Sequence, residues 1–185
     1  MTFGLPKSLY INGREEPIRW EYTAVLDAIS ALNDPELEEK EKIFAALYIL
    51  YENFENFSPN DYKEAWEAIS EFINGEMDDD QKSNVKTVDF EQDYKIMIPA
   101  INRVAGREIR GEDGIHWWTF LGWFMEIGEC TYSTVLSIRT KKAKGKKLES
   151  YEQDFYNANK RMVDIQPKLT EEEKAAEEWL NNFLR

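Results

Sequence analysis

The chain offers few side chains that could carry out catalysis, because it contains a single histidine, His116, and a single cysteine, Cys130. Histidine is the side chain that titrates near neutral pH, so a proton-transfer enzyme with this sequence would have to use His116. A nucleophile such as Cys130 would have to lie beside it, but a helix end separates the two residues. We therefore expect His116 to be structural, as the cap at the start of a helix.

Metal and cofactor sites are not predicted either. One histidine and one cysteine cannot supply the nitrogen and sulfur ligands that hold zinc or iron. The carboxylates of Asp78, Asp79 and Asp80 could attract a divalent cation, but they lack the spacing and the glycine of a calcium loop, and a solvated acidic run is favoured. The sequence contains no phosphate-binding loop, paired-glycine, CxxC or HExxH pattern. We expect a protein that is not an enzyme, with no catalytic, cofactor-binding or metal-binding residues.

The stretch from Gly114 to Lys147 joins an apolar segment to a strongly basic one. Its first half holds three of the six tryptophans, Trp117, Trp118 and Trp123, interleaved with Leu, Phe, Met and Ile. Tryptophans beside lysines could stack single-stranded nucleic acid. The interleaving instead favours the central helix of an all-α core, apolar around nearly its whole circumference.

The second half of that stretch, residues 139–147, contains six basic residues and no acidic one. They are Arg139, Lys141, Lys142, Lys144, Lys146 and Lys147. A basic island in an acidic chain favours docking on an acidic neighbour, within this protein or outside it. The simpler alternative is a solvated helix end, since charge runs usually form soluble surface. We expect the island to be exposed.

Composition narrows the possible classes of protein. The 185 residues include 36 acidic and 23 basic side chains, for a net charge of -13, which argues against bulk attraction to nucleic acid or to an anionic membrane. An apolar content of 42% suits one ordinary domain with a sizeable core. No window approaches the ~20 apolar residues that span a bilayer, and a lone cysteine is compatible with a reducing compartment. Cytoplasm is the default expectation.

The elements that must position these residues are mostly helices. Asn12-Gly13 between short apolar runs predicts a two-residue hairpin turn, with Pro17 confining the second strand to an edge. Asp34 is the expected N-cap of a helix that starts at Pro35, and Pro99 should kink a later helix or delay its start. Helices are predicted over 21–32, 35–54, 59–73, 89–105, 115–127, 132–147, 149–163 and 170–185, with a loop or hinge over 76–88. The expected fold is mainly α, a single-domain bundle of about seven helices with a small N-terminal β-hairpin.

The last helix, residues 170–185, is expected to be distinct from a single domain over 1–169. Thr170 and Glu173 form a capping-box pattern at its start. Its apolar side chains lie on one face among many glutamates, and they are Trp179, Leu180, Phe183 and Leu184. This face either packs back onto the core or meets a partner groove or a second copy of the chain.

Several motifs together resemble a known family. They are YINGREEPIRWEY, DPELEEKEKIFAALYILYENF, SPNDYKEAWEAISEFINGE, IHWWTFLGWF and SIRTKKAKGKKL. Over residues 8–165 the chain resembles the bacteriophage tail protein family named after gene product fifteen of a temperate siphophage. The HWW, IRT and lysine-run motifs are the most specific part of this resemblance.

The resemblance implies a tail-assembly chaperone, encoded just upstream of the tail tape-measure gene, that binds the long helical tape-measure protein and keeps it soluble. It implies no catalysis. Together with the acidic composition, it leads us to expect no nucleic-acid or membrane partner, a location in the cytoplasm of the bacterial host, and absence from the mature virion. The positions that match the family's hallmarks are His116, Trp117, Trp118, Phe120, Ile138 and Arg139. The candidate partner-binding residues are the six basic residues of 139–147 and the four apolar residues of the last helix.

Other tail-assembly proteins and a second copy of the chain are further expected partners. Two rival functions stay open. A tail completion or connector protein would be part of the particle. An acidic mimic of DNA would inhibit a host protein through carboxylates spaced along one surface.

Overall fold

The computed structural model of the protein describes residues 4–75 and 87–183. It is 60% helical with one two-stranded antiparallel sheet, which confirms the mainly α fold class with an N-terminal hairpin. The strands are β1 (Ser8–Ile11) and β2 (Arg14–Pro17). The helices of the described residues are α1 (Tyr22–Leu32), α2 (Glu39–Leu50), α3 (Tyr62–Asn74), α4 (Phe90–Ala105), α5 (Trp117–Met125), α6 (Thr131–Ala143), α7 (Ser150–Ala158), α8 (Lys160–Val163) and α9 (Glu171–Phe183). A short 3-10 helix, Phe54–Asn56, follows α2.

The hairpin forms where the Asn-Gly pair predicts it. Strands β1 and β2 pair in register from Ser8 opposite Pro17 to Ile11 opposite Arg14. Asn12 and Gly13 both have positive φ, 49° and 76°, as a tight two-residue hairpin turn requires. Pro17 ends the edge strand as predicted, where its missing N–H costs no ladder hydrogen bond.

By internal packing the chain divides into two compact units, with the boundary inside α3. The first comprises Met1–Glu71 and Pro167–Arg185, and the second comprises Phe72–Gln166. In the first unit, α1 packs on α2 and the hairpin is followed by an antiparallel bridge between Ile18 and Tyr51. In the second unit, α4 and α6 pack together, α5 contacts α4, and α7 and α8 contact α6. The expectation of a single domain over 1–169 stays a prediction.

Helix α2 starts later than predicted, and the proline inside α4 does not delay the start of that helix. Helix α2 begins at Glu39 and not at Pro35, because Glu38 and Glu41 form a capping box there. Asp34 instead accepts a hydrogen bond from the Glu36 backbone N–H. Helix α4 begins at Phe90 and continues through Pro99, so the proline does not delay its start. Asp89 fixes that start by accepting from two backbone N–H groups of the first turn.

The helix predicted over 149–163 is divided into α7 and α8 at Asn159. The backbone of Asn159 leaves helical geometry, with φ of -130°, and its side-chain amide donates to the Phe155 carbonyl at 2.9 Å. Asparagine side chains compete in this way with the helical hydrogen-bond ladder. The break increases the helix count over the predicted seven without changing the fold class. The predicted loop lies largely outside the described residues, since positions 76–86 do.

Candidate functional site

The hallmark segment begins with His116, which caps α5. Its backbone is extended at the N-cap position, and its Nδ1 accepts a hydrogen bond from the Trp118 backbone N–H at 3.0 Å. Its side chain is buried, with 3% exposed, and packs edge-on against Phe72 and Trp118. The predicted role of His116 as the cap at the start of this helix is confirmed.

The two adjacent tryptophans of the hallmark segment cap the C-terminus of α3. The indole N–H of Trp117 donates to the Ile73 carbonyl at 2.8 Å, and that of Trp118 donates to the Phe72 carbonyl at 2.9 Å. The last carbonyls of a helix have no partner within it. The Trp117 indole supplies a donor to the Ile73 carbonyl, and the Phe72 carbonyl accepts from the Gly75 backbone N–H as well as from Trp118. The chain then turns at Gly75 with φ of 64°. The HWW motif thus joins the start of one helix to the end of another.

The remaining apolar hallmarks also face inward. Phe120 is fully buried and stacks on Trp117, with ring centroids 5.5 Å apart. Ile138 is fully buried in a cluster with Val135 and Val163. The expectation of a central core helix, apolar around nearly its whole circumference, holds for only one side of α5, because Met125 is 65% exposed. Helix α5 has only nine residues and one buried side, made by Trp117, Phe120 and Leu121.

Arg139 was expected to be exposed, and this prediction is wrong. The residue is only 6% exposed, and its guanidinium forms a bidentate ion pair with the equally buried Asp93, at 2.6 and 2.8 Å. Its three other N–H groups donate to the main-chain carbonyls of Thr87, Met162 and Val163. All five donors are satisfied, which is what allows a guanidinium to be buried. Arg139 therefore ties α6 to α4 and α8 and is not available to a partner.

Two lysines of the basic island also have acidic neighbours within the second unit. Lys141 donates to the buried Glu152 at 2.6 Å. Lys142 donates to Asp164 and to the Tyr156 hydroxyl, and its ammonium lies 3.9 Å from the centre of the Tyr156 ring. The alternative of docking within this protein thus holds for this part of the island. The other three are exposed and unpaired among the described residues, and they are Lys144, Lys146 and Lys147.

Glu152 is the acidic centre of that network. Besides Lys141, its carboxylate accepts from the Ser137 hydroxyl and from the Glu149 backbone N–H at the start of α7. The hydrogen bond from Lys141 is the main cause that holds the pKa of Glu152 below its ordinary value of 4.5. The same contact raises the pKa of Lys141. The contact therefore stabilises the charged forms of both side chains.

Helix α9 is part of the first unit. Its predicted capping box is confirmed, since Thr170 Oγ1 accepts from the Glu173 N–H and the Glu173 side chain accepts from the Thr170 N–H. The Glu171 N–H donates to the Glu36 carboxylate at 2.6 Å. Trp179 and Leu180 are 66% and 48% exposed. The predictions for Phe183 and Leu184 concern side chains outside the described part of the structure.

The first unit also exposes aromatic side chains on helix α2. Phe44 and Tyr48 of α2 are 49% and 60% exposed, whereas Leu47 on the neighbouring helix position is buried. Both rings contact Phe54, and Phe44 and Phe54 also contact Tyr62. We call these four residues, Phe44, Tyr48, Phe54 and Tyr62, the aromatic face. The signal in the sequence is the four-residue spacing of Phe44 and Tyr48, offset by one position from the buried Leu47.

The described side chains include no cluster of three or more potential metal ligands, and Asp78, Asp79 and Asp80 lie outside them. None of the helices in the described part of the chain has both the length and the hydropathy to cross a bilayer.

Comparison with known proteins gives one result. A family model described as Bacteriophage Gp15 protein matches residues 1–165, which is most of the chain. The match includes every hallmark residue and the aromatic face, and it ends before α9. No curated protein and no solved structure gives a significant match.

Proposed function

The chain belongs to the Bacteriophage Gp15 protein family, and on this premise we propose that it is a non-enzymatic tail-assembly chaperone that binds the phage tape-measure protein and keeps it soluble. The observation that carries the proposal is the family match over residues 1–165. The resemblance described above implies the chaperone role for that family. The protein would act in the cytoplasm of the bacterial host and would be absent from mature particles.

The exposed apolar side chains support a binding role. The aromatic face and the Trp179 and Leu180 pair of α9 both lie in the first unit. Residues 1–71 contain 15 acidic and six basic side chains. A chaperone for a long amphipathic helix needs apolar patches for contact and a high net charge for solubility. This unit combines the two.

The polar hallmark residues support a non-enzymatic role. The Nδ1 of His116 is engaged in a helix cap, and all donors of Arg139 are used within the second unit. Groups held this way would have to break helix ends or a buried ion pair before they could act on a substrate. We therefore propose that these residues fix the fold.

Co-expression with the tape-measure protein of the same phage tests the proposal. We expect the tape-measure protein to be soluble with this chain and to precipitate without it, and the two to co-purify. Equal solubility in both cultures would contradict the chaperone role. Mass spectrometry of purified virions distinguishes a chaperone from a tail completion or connector protein. A completion or connector protein would be present in stoichiometric amounts, and a chaperone would be absent.

A further inference from the structure

We propose that the aromatic face of the first unit is a docking surface for a basic amphipathic helix of the chaperoned protein. The inference rests on the proposed function for the identity of the partner. It adds the location of the contact and the chemistry of the partner's side chains. The surface differs from the basic island and the last helix, which the sequence favours.

The geometry of the aromatic face suits a helix. Phe44 and Tyr48 are four residues apart on α2, so their rings lie one helical turn apart along the same side. Both meet Phe54 edge-on, at centroid distances of 4.9 and 6.2 Å. Side chains one turn apart form a ridge with a groove beside it, which receives apolar side chains at spacings of three and four from a second helix.

The exposed rings are held by buried ones, so little order is lost on binding. Phe54 is only 5% exposed and stacks on Tyr62, with centroids 5.6 Å apart. Tyr62 follows Asp61, whose buried carboxylate accepts from Asn12 Nδ2 at 2.7 Å and from the backbone and hydroxyl of Ser58. The Asn12 contact is the main cause that lowers the pKa of Asp61, so this anchor remains charged at neutral pH. A preorganised surface loses less side-chain entropy on binding than a flexible one.

Charge determines which helix fits. Glu52 and Glu55 flank Phe54 in sequence, are exposed, and have no ion-pair partner among the described residues. The unit that carries them has a large excess of acidic residues. Lysine or arginine side chains at the edge of a bound helix would pair with these carboxylates and lie over the rings of Phe44 and Tyr48. An acidic or neutral helix would gain neither contact.

The test measures how tightly purified variants of the full chain bind the phage's tape-measure protein. The tape-measure protein is captured from co-expression cultures and is then titrated with each variant. Replacing both exposed rings, in F44S/Y48S, is expected to weaken binding about tenfold or more, as loss of central aromatic residues does at interfaces. Y10S is the matched control, because Tyr10 is 67% exposed on the hairpin and lies outside the aromatic face. Y48S alone is measured as well, so that the test still stands if the double variant unfolds. This single change removes only the edge contact with Phe54.

A second pair of variants tests the charge. E52K/E55K is expected to weaken binding and to remove most of its salt dependence, whereas E126K/E129K, the same spacing in the second unit, is expected to leave both unchanged.

If the wild-type chain does not bind the tape-measure protein, the proposed function fails. If the wild type binds and the aromatic and charge variants bind equally well, this inference alone is overturned. If F44S/Y48S abolishes self-association of the chain and leaves tape-measure binding intact, the inference is likewise overturned and the aromatic face is assigned to a second copy of the chain.

Discussion

In the second unit Trp117 and Phe120 of α5 are buried, and the indoles of Trp117 and Trp118 cap another helix. In the first unit Phe44 and Tyr48 of α2 are exposed beside the buried ring of Phe54. The second unit also buries an ion pair, Arg139 with Asp93, and uses every donor of the arginine. The first unit carries acidic side chains at its surface without partners, such as Glu52 and Glu55.

This difference separates the residues that mark the family from the residues that we propose to bind a partner. In the most specific motifs, HWW and IRT, the Nδ1 of His116, both indole N–H groups and every donor of Arg139 are already engaged. Their chemistry serves helix ends and a buried charge, so they define a fold. The proposed docking surface lies on a helix whose sequence resembles an ordinary amphipathic stripe.

The largest predicted effect comes from breaking the buried ion pair. R139M leaves the Asp93 carboxylate buried without its partner, and we expect the free energy of unfolding to fall by about 3–5 kcal/mol, measured by urea denaturation. K144M replaces an exposed lysine of the same island and should change it by less than about 0.5 kcal/mol. The double variant R139M/D93L should recover most of the loss. Equal, small effects of R139M and K144M would show that the two parts of the island do not differ.

The next effect tests the tryptophan caps. W117F removes the indole donor to the Ile73 carbonyl from a ring that is only 1% exposed, so we expect a loss of about 1–3 kcal/mol in thermal or urea unfolding. W118F should cost less, because Trp118 is half-buried and water can replace its donor. W123F is the control, since Trp123 has no side-chain hydrogen bond among the described residues. Identical losses for all three variants would show that the indoles stabilise the protein by packing and not by capping α3.

A smaller effect is expected at His116. H116A removes the acceptor for the Trp118 N–H and should destabilise the protein by about 1 kcal/mol, whereas H116N retains a capping side chain and should cost less. Tape-measure solubilisation should be unchanged in both variants at a temperature where they remain folded. Loss of that activity in folded H116N would show that His116 takes part in partner binding. It would contradict the proposal that partner binding lies in the first unit.

The smallest expected effect is a change in pH dependence at Glu152. Its pKa is held below 4.5 in the folded protein, so its stabilising contribution is present above that pH and is lost as the pH falls through the folded value. E152Q should therefore flatten the decline of unfolding free energy on acidification, and E126Q, at an exposed position, should not. Asp61 and Glu108 also have lowered pKa values, so part of the acid decline should remain in E152Q. An unchanged acid limb in E152Q would contradict the Lys141 contact.

Sequence patterns predicted the fold class because its determinants are local. The Asn12-Gly13 pair fixes the hairpin, His116 fixes the start of α5, and apolar spacing locates the helices. The division at Asn159 was missed because it depends on a side-chain bond that competes with the ladder.

The exposure of Arg139, Phe44 and Tyr48 was harder to predict because it depends on residues that are distant in the sequence. Arg139 belongs by composition to a basic run, but its burial depends on Asp93, 46 residues away. Its position four residues after Val135 places it on the buried stripe of α6, and this is the local signal that identifies it. Phe44 and Tyr48 show the converse, since their apolar character predicts burial but no described element covers them fully.

The most direct test of the central claim is amide hydrogen exchange of the chain, free and bound to the tape-measure protein. We predict that binding increases protection in α2 and in the Phe54–Asn56 turn, and leaves α5 and the Arg139 region unchanged. Protection confined to α5 or to residues 144–147, with none in α2, would contradict the claim that the family hallmarks build the fold while the first unit holds the partner.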